Sequence, residues 1–237
     1  MNDIDILKLY FKGEELSEKI SEYEKGTPAA YLIGEWEFFG DRYKLNRDCL
    51  IPRCDTERVV EKVLSKLKEG QSMADICSGS GCIGISSVKR VRNTTCVSVE
   101  ISAKAIEAAK ENAVINGVEN RVEFINADLF SKPLGDRRFD IIVSNPPYIT
   151  TADMEKLDEY VKKEPKIALD GGVDGMVFYS FIASEYKDNL TKDGVIIFEI
   201  GYDQEEKIKH TAELNGFKCT VTKDYSGNPR VALLEKI

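Results

Sequence analysis

Met73-Ala74-Asp75-Ile76-Cys77-Ser78-Gly79-Ser80-Gly81-Cys82 is the stretch on which the fold turns. A short run of strand length passes directly into a Gly-x-Gly turn, and a helix is expected from Cys82 to about Val91. The same alternation continues downstream. Thr95 to Glu100 reads as a second strand. Ser102 can cap a helix carrying Ala105, Ile106, Ala109 and Ala113, closed by Asn116-Gly117. Val122 to Ile125 and Phe139 to Ser144 are the third and fourth strands. A long polar segment, Ile149 to Asp174, has helical character around Met154 to Val161. A helix from Gly175 to Leu190, a strand from Val195 to Ile200 and a helix from Gln204 to Asn215 follow. Phe217 to Thr222 and Arg230 to Leu234 close the chain as strands. Strands alternating with helices predict an α/β fold, a doubly wound, mostly parallel seven-stranded sheet.

The residues before this unit read differently. Ile4 to about Lys25 is amphipathic and helical, broken at Gly13 and ended by Gly26-Thr27-Pro28. Two aromatic-rich runs flank Gly40-Asp41 and predict a β-hairpin, with Trp36, Phe38, Tyr43 and Leu45 packing one face onto the main domain. Leu50 to Glu57 leads into a helix with Asp55 or Thr56 as its cap, Val59, Val60, Val63, Leu64 and Leu67 as its apolar stripe and Gly70 as its stop. The expected division is a short helical segment over 1–26, a linker and hairpin over 27–50, and the α/β domain over 51–237.

Composition narrows the function. The 237 residues are 42% hydrophobic and 31% charged, an ordinary globular balance. A formal net charge of -8 argues against holding a nucleic acid mainly through its phosphates. The 6 Cys contain no Cys-x-x-Cys pair and His210 is the only His, so no metal site is expected. Met1 to Asp5 is acidic with no apolar run behind it, and no stretch is long and apolar enough to span a membrane. A cytoplasmic chain with free thiols is expected.

Gly79, Gly81 and Gly84 spell Gly-x-Gly-x-x-Gly after the first strand, and Glu100 ends the second. Glycines let the backbone approach a ligand, and the carboxylate accepts from ribose hydroxyls. A dinucleotide and S-adenosyl-L-methionine both satisfy this layout, so the loop does not choose between them. Two later features favour S-adenosyl-L-methionine. In Asn126-Ala127-Asp128-Leu129-Phe130, Asp128 can accept from an adenine amino group, while Leu129 and Phe130 offer apolar surface to its ring. The second is Asn145-Pro146-Pro147-Tyr148. Two prolines end the fourth strand and leave an amide side chain and free carbonyls at its carboxyl end, where open α/β sheets bind ligands. An NH2 group about to be methylated presents two hydrogens. The Asn145 side-chain oxygen and the Pro146 carbonyl can take one each, the prolines keep both acceptors rigid, and Tyr148 can stack on a flat amide or base. By this motif alone a Gln amide, adenine N6 and cytosine N4 remain open.

Longer stretches carry a family resemblance. They are Gly26-Thr27-Pro28-Ala29-Ala30-Tyr31-Leu32-Ile33-Gly34, Leu50-Ile51-Pro52-Arg53-Cys54-Asp55-Thr56-Glu57, Asp75 to Gly81, Val143 to Ile149, Glu164-Pro165 with Ala168 to Gly175, and Glu199-Ile200-Gly201. In these the chain resembles the HemK/PrmC family, the protein-(glutamine-N5) methyltransferases that modify the Gly-Gly-Gln glutamine of class 1 peptide chain release factors. The resemblance implies a class I, Rossmann-like methyltransferase that converts S-adenosyl-L-methionine to S-adenosyl-L-homocysteine. It implies cofactor contacts from Cys77, Ser78, Gly79, Ser80, Gly81, Glu100, Leu129 and Asn145, beside the Asp128 contact read above, and a substrate amide held by Asn145, Pro146, Pro147 and Tyr148. Arg53 and Glu57 would shape the substrate mouth. The implied partner is a release factor, with neither nucleic acid nor membrane, and a monomer is expected.

Three departures stand out. Cys77 replaces the first loop Gly, Cys54-Asp55 replace a common Pro-Glu, and only about the first 26 residues precede the shared region. The docking surface is therefore expected to be reduced, or carried by the hairpin and catalytic domain. The competing readings are an amino-methyltransferase of DNA, RNA or a ribosomal protein, a nicotinamide-dependent oxidoreductase, and an inactive cofactor-binding module.

Overall fold

The computed structural model describes residues 2–237; Met1, the first residue of the expected N-terminal segment, lies outside the described residues. Helix α1 (Asp3–Tyr10) starts at Asn2, whose side chain accepts from the Asp5 N–H at 2.9 Å. Helix α2 (Gly13–Glu24) follows the expected break at Gly13, and the short α3 (Ala29–Ile33) ends on Gly34.

Strands β1 (Glu35–Phe38) and β2 (Asp41–Lys44) form the expected hairpin, but its turn is Phe39-Gly40 rather than Gly40-Asp41. Both turn residues have positive φ, +52° and +75°, the geometry that matches strand twist in a two-residue hairpin. Phe39 tolerates it because its N–H is held by Glu57 Oε1 at 2.8 Å and its ring lies under the Arg90 guanidinium, 4.5 Å away. Phe38, Tyr43 and Leu45 are buried as expected, and Tyr43 hydrogen-bonds Ser86 at 2.6 Å.

A 3-10 turn, Cys54–Thr56, runs straight into α4 (Glu57–Lys66), and neither expected cap serves as one. The Thr56 hydroxyl accepts from Asn145 instead, and Asp55 pairs with Arg230 at 3.3 Å. Strand β3 (Ser72–Ile76), α5 (Cys82–Arg90), β4 (Thr95–Glu100), α6 (Ala103–Ile115, capped by Ser102), β5 (Val122–Asn126) and β6 (Phe139–Ser144) then alternate as expected. The polar segment after β6 holds three 3-10 turns rather than one helix. Helix α7 (Val177–Glu185) is shorter than its 175–190 expectation, because a 3-10 turn at Lys187–Asn189 feeds strand β7 (Leu190–Glu199). Helix α8 (Glu205–Leu214) and strands β8 (Phe217–Lys223) and β9 (Pro229–Lys236) complete the chain.

The seven strands run in the order β5-β4-β3-β6-β7-β9-β8. Pairs from β5 to β7 are parallel, while β9 is antiparallel to both β7 and β8. Side chains alternate across the sheet. Ala74, Ile76, Ile142, Ile196 and Phe198 pack under α7 and α8 in one core. Met73, Ile141, Val143, Val195 and Ile197 pack with α4, α5 and the hairpin residues Phe38 and Tyr43 in another. The hairpin thus shares the core of the α/β unit. Buried Asn112 of α6 fastens it: its side chain accepts from Lys44 N–H at 2.6 Å and donates to Ser80 O at 2.9 Å.

Strand order reverses direction between β3 and β6, which opens a crevice at their carboxyl ends. The registers Ile76↔Val99, Ile76↔Ser144 and Ser144↔Phe198 place the next residues, Glu100, Cys77, Asn145 and Glu199, side by side along that edge.

Candidate active site

The glycine loop is shaped by its backbone. Cys77, Gly79 and Gly81 have φ of +60°, +53° and +77°. Cys77 thus occupies a left-handed position that costs a non-glycine residue about 1 kcal/mol, a conformation glycine adopts freely. Gly84 sits on α5 where a Cβ would come within 2.8 Å of Cys96 Sγ and 3.1 Å of Asp75 Oδ2. Its N–H instead donates to Asp75 Oδ2 at 2.9 Å. Asp75 is completely buried and its Oδ1 has no partner. Burial pushes its carboxyl up to about 7, against the pull of the Gly84 N–H.

Glu100 braces the loop from the next strand. Its Oε2 accepts from Gly79 N–H and its Oε1 from Ser102 N–H, both at 2.9 Å. Each oxygen keeps a lone pair for a further donor. Asp128 is exposed at the end of β5. Its Oδ1 takes Phe130 N–H at 2.9 Å and so opens the 3-10 turn Leu129–Ser131.

At the end of β6 the Asn145–Pro146 and Pro146–Pro147 peptides are trans, and both prolines are buried. Asn145 Nδ2 donates to Thr56 Oγ1 at 3.4 Å, which turns Oδ1 away from the protein's own donors. Among the described residues neither Asn145 Oδ1 nor Pro146 O receives an intramolecular hydrogen bond. Tyr148 is half-buried, its hydroxyl donating to Glu199 Oε1 at 3.4 Å and its carbonyl accepting from Gln204 Nε2 at 3.0 Å. Burial raises the pKa of that hydroxyl, and the Glu199 charge adds to the rise.

The loop after the motif is pressed onto it. Gly171 N–H donates to Ile149 O at 2.7 Å and Ile149 N–H to Leu169 O at 3.0 Å. A Cβ on Gly171 would stand 2.7 Å from both Pro147 O and Tyr148 Cα. Gly171 is therefore glycine because the Asn-Pro-Pro-Tyr backbone lies against it, while Gly172 is glycine for its φ of +87°.

These strand ends enclose a cavity of about 260 Å³. Cys77, Gly79, Glu100, Asp128, Leu129, Asn145 and Pro147 line it, as do Asp48, Leu50, Val99, Ile101, Ala127, Phe130, Ile167, Ala168 and Phe178. Ser78, Ser80 and Gly81 of the loop, and Pro146 and Tyr148 of the motif, do not line the cavity. Arg53 faces a neighbouring cavity of about 240 Å³, where it pairs with the buried Glu164. Glu57 is turned to the hairpin through Phe39. Ile167 and Phe178 went unread as site residues: one lies in a polar segment and the other on a helix, and only the chain's return over β6 brings them to the crevice. Ile167 falls inside the stretch Glu164-Pro165 to Gly175 that carries the resemblance, whereas Phe178 lies three residues beyond it.

A nucleoside with a methyl-sulfonium group fits this space. Gly79 lines it, and a Cβ there would meet no atom within 4 Å. One carboxylate, Glu100, stands at the ribose position of such folds, while Leu129, Phe130 and Phe178 supply apolar surface for a base.

The family model of the Methyltransferase small domain matches residues 56–193, from the entry of α4 into β7. The chain is therefore a methyltransferase of the doubly wound, class I kind. Closer relatives narrow the class. The chain is 39% identical over 232 residues to the release factor glutamine methyltransferase of Fusobacterium nucleatum, covering 94% of itself and 65% of that protein. It is 36% identical over 234 residues to the enzyme of that name from Aquifex aeolicus, covering 98% and 81%. The chain belongs to the release factor glutamine methyltransferase family. Its fold is shared with the release-factor-specific protein-(glutamine-N5) methyltransferase of Alicyclobacillus acidocaldarius, at 24% identity, a TM-score of 0.51, and coverage of 82% and 99%. Among the described residues no helix is long and apolar enough to cross a membrane.

Proposed function

We propose that the chain methylates the side-chain amide nitrogen (N5) of a glutamine in a peptide chain release factor, the glutamine of the Gly-Gly-Gln motif in class 1 factors. The observation that carries this reading is the pair of unclaimed acceptors, Asn145 Oδ1 and Pro146 O, at the strand end bordering the cavity. The loop from Cys77 to Gly81, Glu100, Asp128 and Leu129 would hold S-adenosyl-L-methionine, with Asn145 between cofactor and substrate. When bound, that cofactor supplies an electrophilic methyl carbon on sulfonium.

Asn145 Oδ1 and Pro146 O take the two hydrogens of the glutamine NH2. Held this way, the nitrogen's lone pair turns out of conjugation toward the cofactor side. The contribution is positioning and electrostatics. The nitrogen turns acidic as it gains carbon, so one of the two held protons passes to water without a strong side-chain base. Tyr148, anchored through Glu199 and Gln204, keeps the two proline carbonyls in place. Arg53 and Glu164 stand beside the mouth, where a segment flanking the glutamine would pass. This reading places the enzyme in the cytoplasm, acting as a monomer on a protein rather than a nucleic acid.

The test is transfer of labelled methyl from the cofactor to a purified release factor, mapped by mass spectrometry. Label on the Gly-Gly-Gln glutamine is expected; label only on nucleic acid or ribosome fractions would overturn the reading. Glu100→Ala is expected to weaken cofactor binding by roughly 10²-fold in calorimetric titration, because a charged acceptor contributes about 1.5–3 kcal/mol. An unchanged affinity would remove Glu100 from the cofactor site.

A further inference from the structure

Behind Asn145 lies a buried polar chain that the mechanism above leaves unused. Asn145 Nδ2 donates to Thr56 Oγ1. Thr56 is 2% exposed, so its own hydroxyl hydrogen must find an acceptor inside the protein. The carboxylate of Glu199, also 2% exposed, lies beside that hydroxyl, which favours its charged form. Glu199 Oε1 takes the Tyr148 hydroxyl, while Oε2 is buried with no hydrogen-bond partner.

Polarity runs through this chain in one direction. A carboxylate only accepts, so the hydrogen that the Thr56 hydroxyl turns toward Glu199 is one it would donate, and the unpartnered Oε2 has a lone pair to receive it. The Thr56 oxygen then offers a lone pair to Asn145, which must answer with its NH2 group. The amide is left with Oδ1 facing out. Were the direction reversed, Asn145 would present its NH2 group to an incoming NH2, donor against donor.

We propose that Glu199 is a positioning residue for methyl transfer: through Thr56 it locks the Asn145 amide so that Oδ1, not Nδ2, meets the substrate nitrogen. The inference rests on the glutamine-methylating reading above and extends it to a residue that touches neither cofactor nor substrate. Burial raises the Glu199 pKa, and Thr56 and Arg230 oppose the rise. The other groups facing this carboxylate are Tyr148 after β6, Asp55 before α4 and Cys82 of α5. Arg230 of β9 is shared with Asp55 and Asp224, each at 3.3 Å, and Tyr179 of α7 donates to the Glu199 main-chain oxygen at 2.8 Å. Protonating Glu199 turns it into a donor toward Thr56 and removes the lock. Turnover should therefore carry an acid limb at higher pH than an ordinary glutamic acid gives.

The experiment follows the Asn145 side-chain amide by nitrogen-15 NMR in the full chain, its resonances assigned by their loss in Asn145→Ala. They should move with pH in a single titration in the wild type and stay flat in Glu199→Gln and Thr56→Val. Thr56→Val should also lower kcat by roughly 10²-fold, with cofactor affinity and the KM for release factor nearly unchanged. Thr56→Ser should recover most of that loss, and Glu199→Gln should abolish the acid limb. An Asn145 amide indifferent to pH, or a Thr56→Val enzyme of near wild-type kcat, would overturn the proposal. A wild-type enzyme that leaves the release factor unmethylated would sink the functional reading instead, and the amide titration would still decide the positioning role.

Discussion

Asn145→Ala is expected to lower kcat by about 10³-fold while the Kd for S-adenosyl-L-methionine changes only a few-fold. In the proposed reaction the side chain would supply one of two acceptors for the reacting NH2 group, and removing one preorganised partner of that kind costs about 10²–10³ in kcat. A further loss follows from orientation, because a glutamine amide held only by Pro146 O can rotate about that single contact. Cofactor affinity is spared because most of the cavity wall comes from other residues: Gly79 and Glu100 on one side, Leu129, Phe130 and Phe178 on the other. The fold is spared too, since Asn145 is only half-buried and its one side-chain hydrogen bond, to Thr56, is 3.4 Å long. Single-turnover transfer to release factor, with calorimetry for the cofactor, separates the two quantities. A variant that lost cofactor affinity as steeply as turnover would make Asn145 a cofactor ligand rather than the substrate's acceptor.

The second large effect concerns stability. Asp75→Asn is expected to stabilise the protein relative to wild type, and the gap should widen as pH rises from 5 to 8. The wild-type carboxyl is pushed up to about 7 in the fold, chiefly by burial, whereas an unfolded Asp titrates near about 3.9. Between those values the folded chain keeps a proton that the unfolded chain has released. Stability therefore falls as pH climbs through that window and levels off above about 7, a loss on the order of 2–4 kcal/mol. An Asn carbonyl can still accept the Gly84 N–H that Asp75 Oδ2 accepts at 2.9 Å, and its amide carries no charge to desolvate. Urea unfolding of both proteins at pH 5 and pH 8 measures the difference. A gap that stays constant would show that Asp75 does not titrate in this range.

Much of this site was legible because its parts are local. The Gly-x-Gly turn after Ile76 and the prolines after Asn145 write their backbone geometry into a few consecutive residues. The alternation of apolar strands with helices then brings both to one sheet edge. Glu100 was legible for the same reason, as the last residue of the strand beside the loop. Residues working across long separations were not. Thr56 has the sequence position of a helix cap and Asp55 of its alternative, yet Thr56 is spent on Asn145, 89 residues away, and Asp55 on Arg230. Glu57 was read toward the substrate mouth, and its carboxylate is taken up by Phe39 N–H, 18 residues back. That contact, with Arg90, holds Phe39 at positive φ and shifts the hairpin turn by one residue.

Chain chemistry alone therefore determined the βα alternation, the ligand edge of the sheet and the two acceptors set at that edge, an amide side chain and a proline carbonyl. Periodicity, proline and glycine act within a few residues, so a single sequence displays them. The tertiary structure decided which way the Asn145 amide faces, that a buried Glu199 stands behind it, and that Ile167 and Phe178 close over the cavity. Those outcomes depend on strand register and on which buried donor meets which buried acceptor. They exist only once β3, β4, β6 and β7 lie side by side.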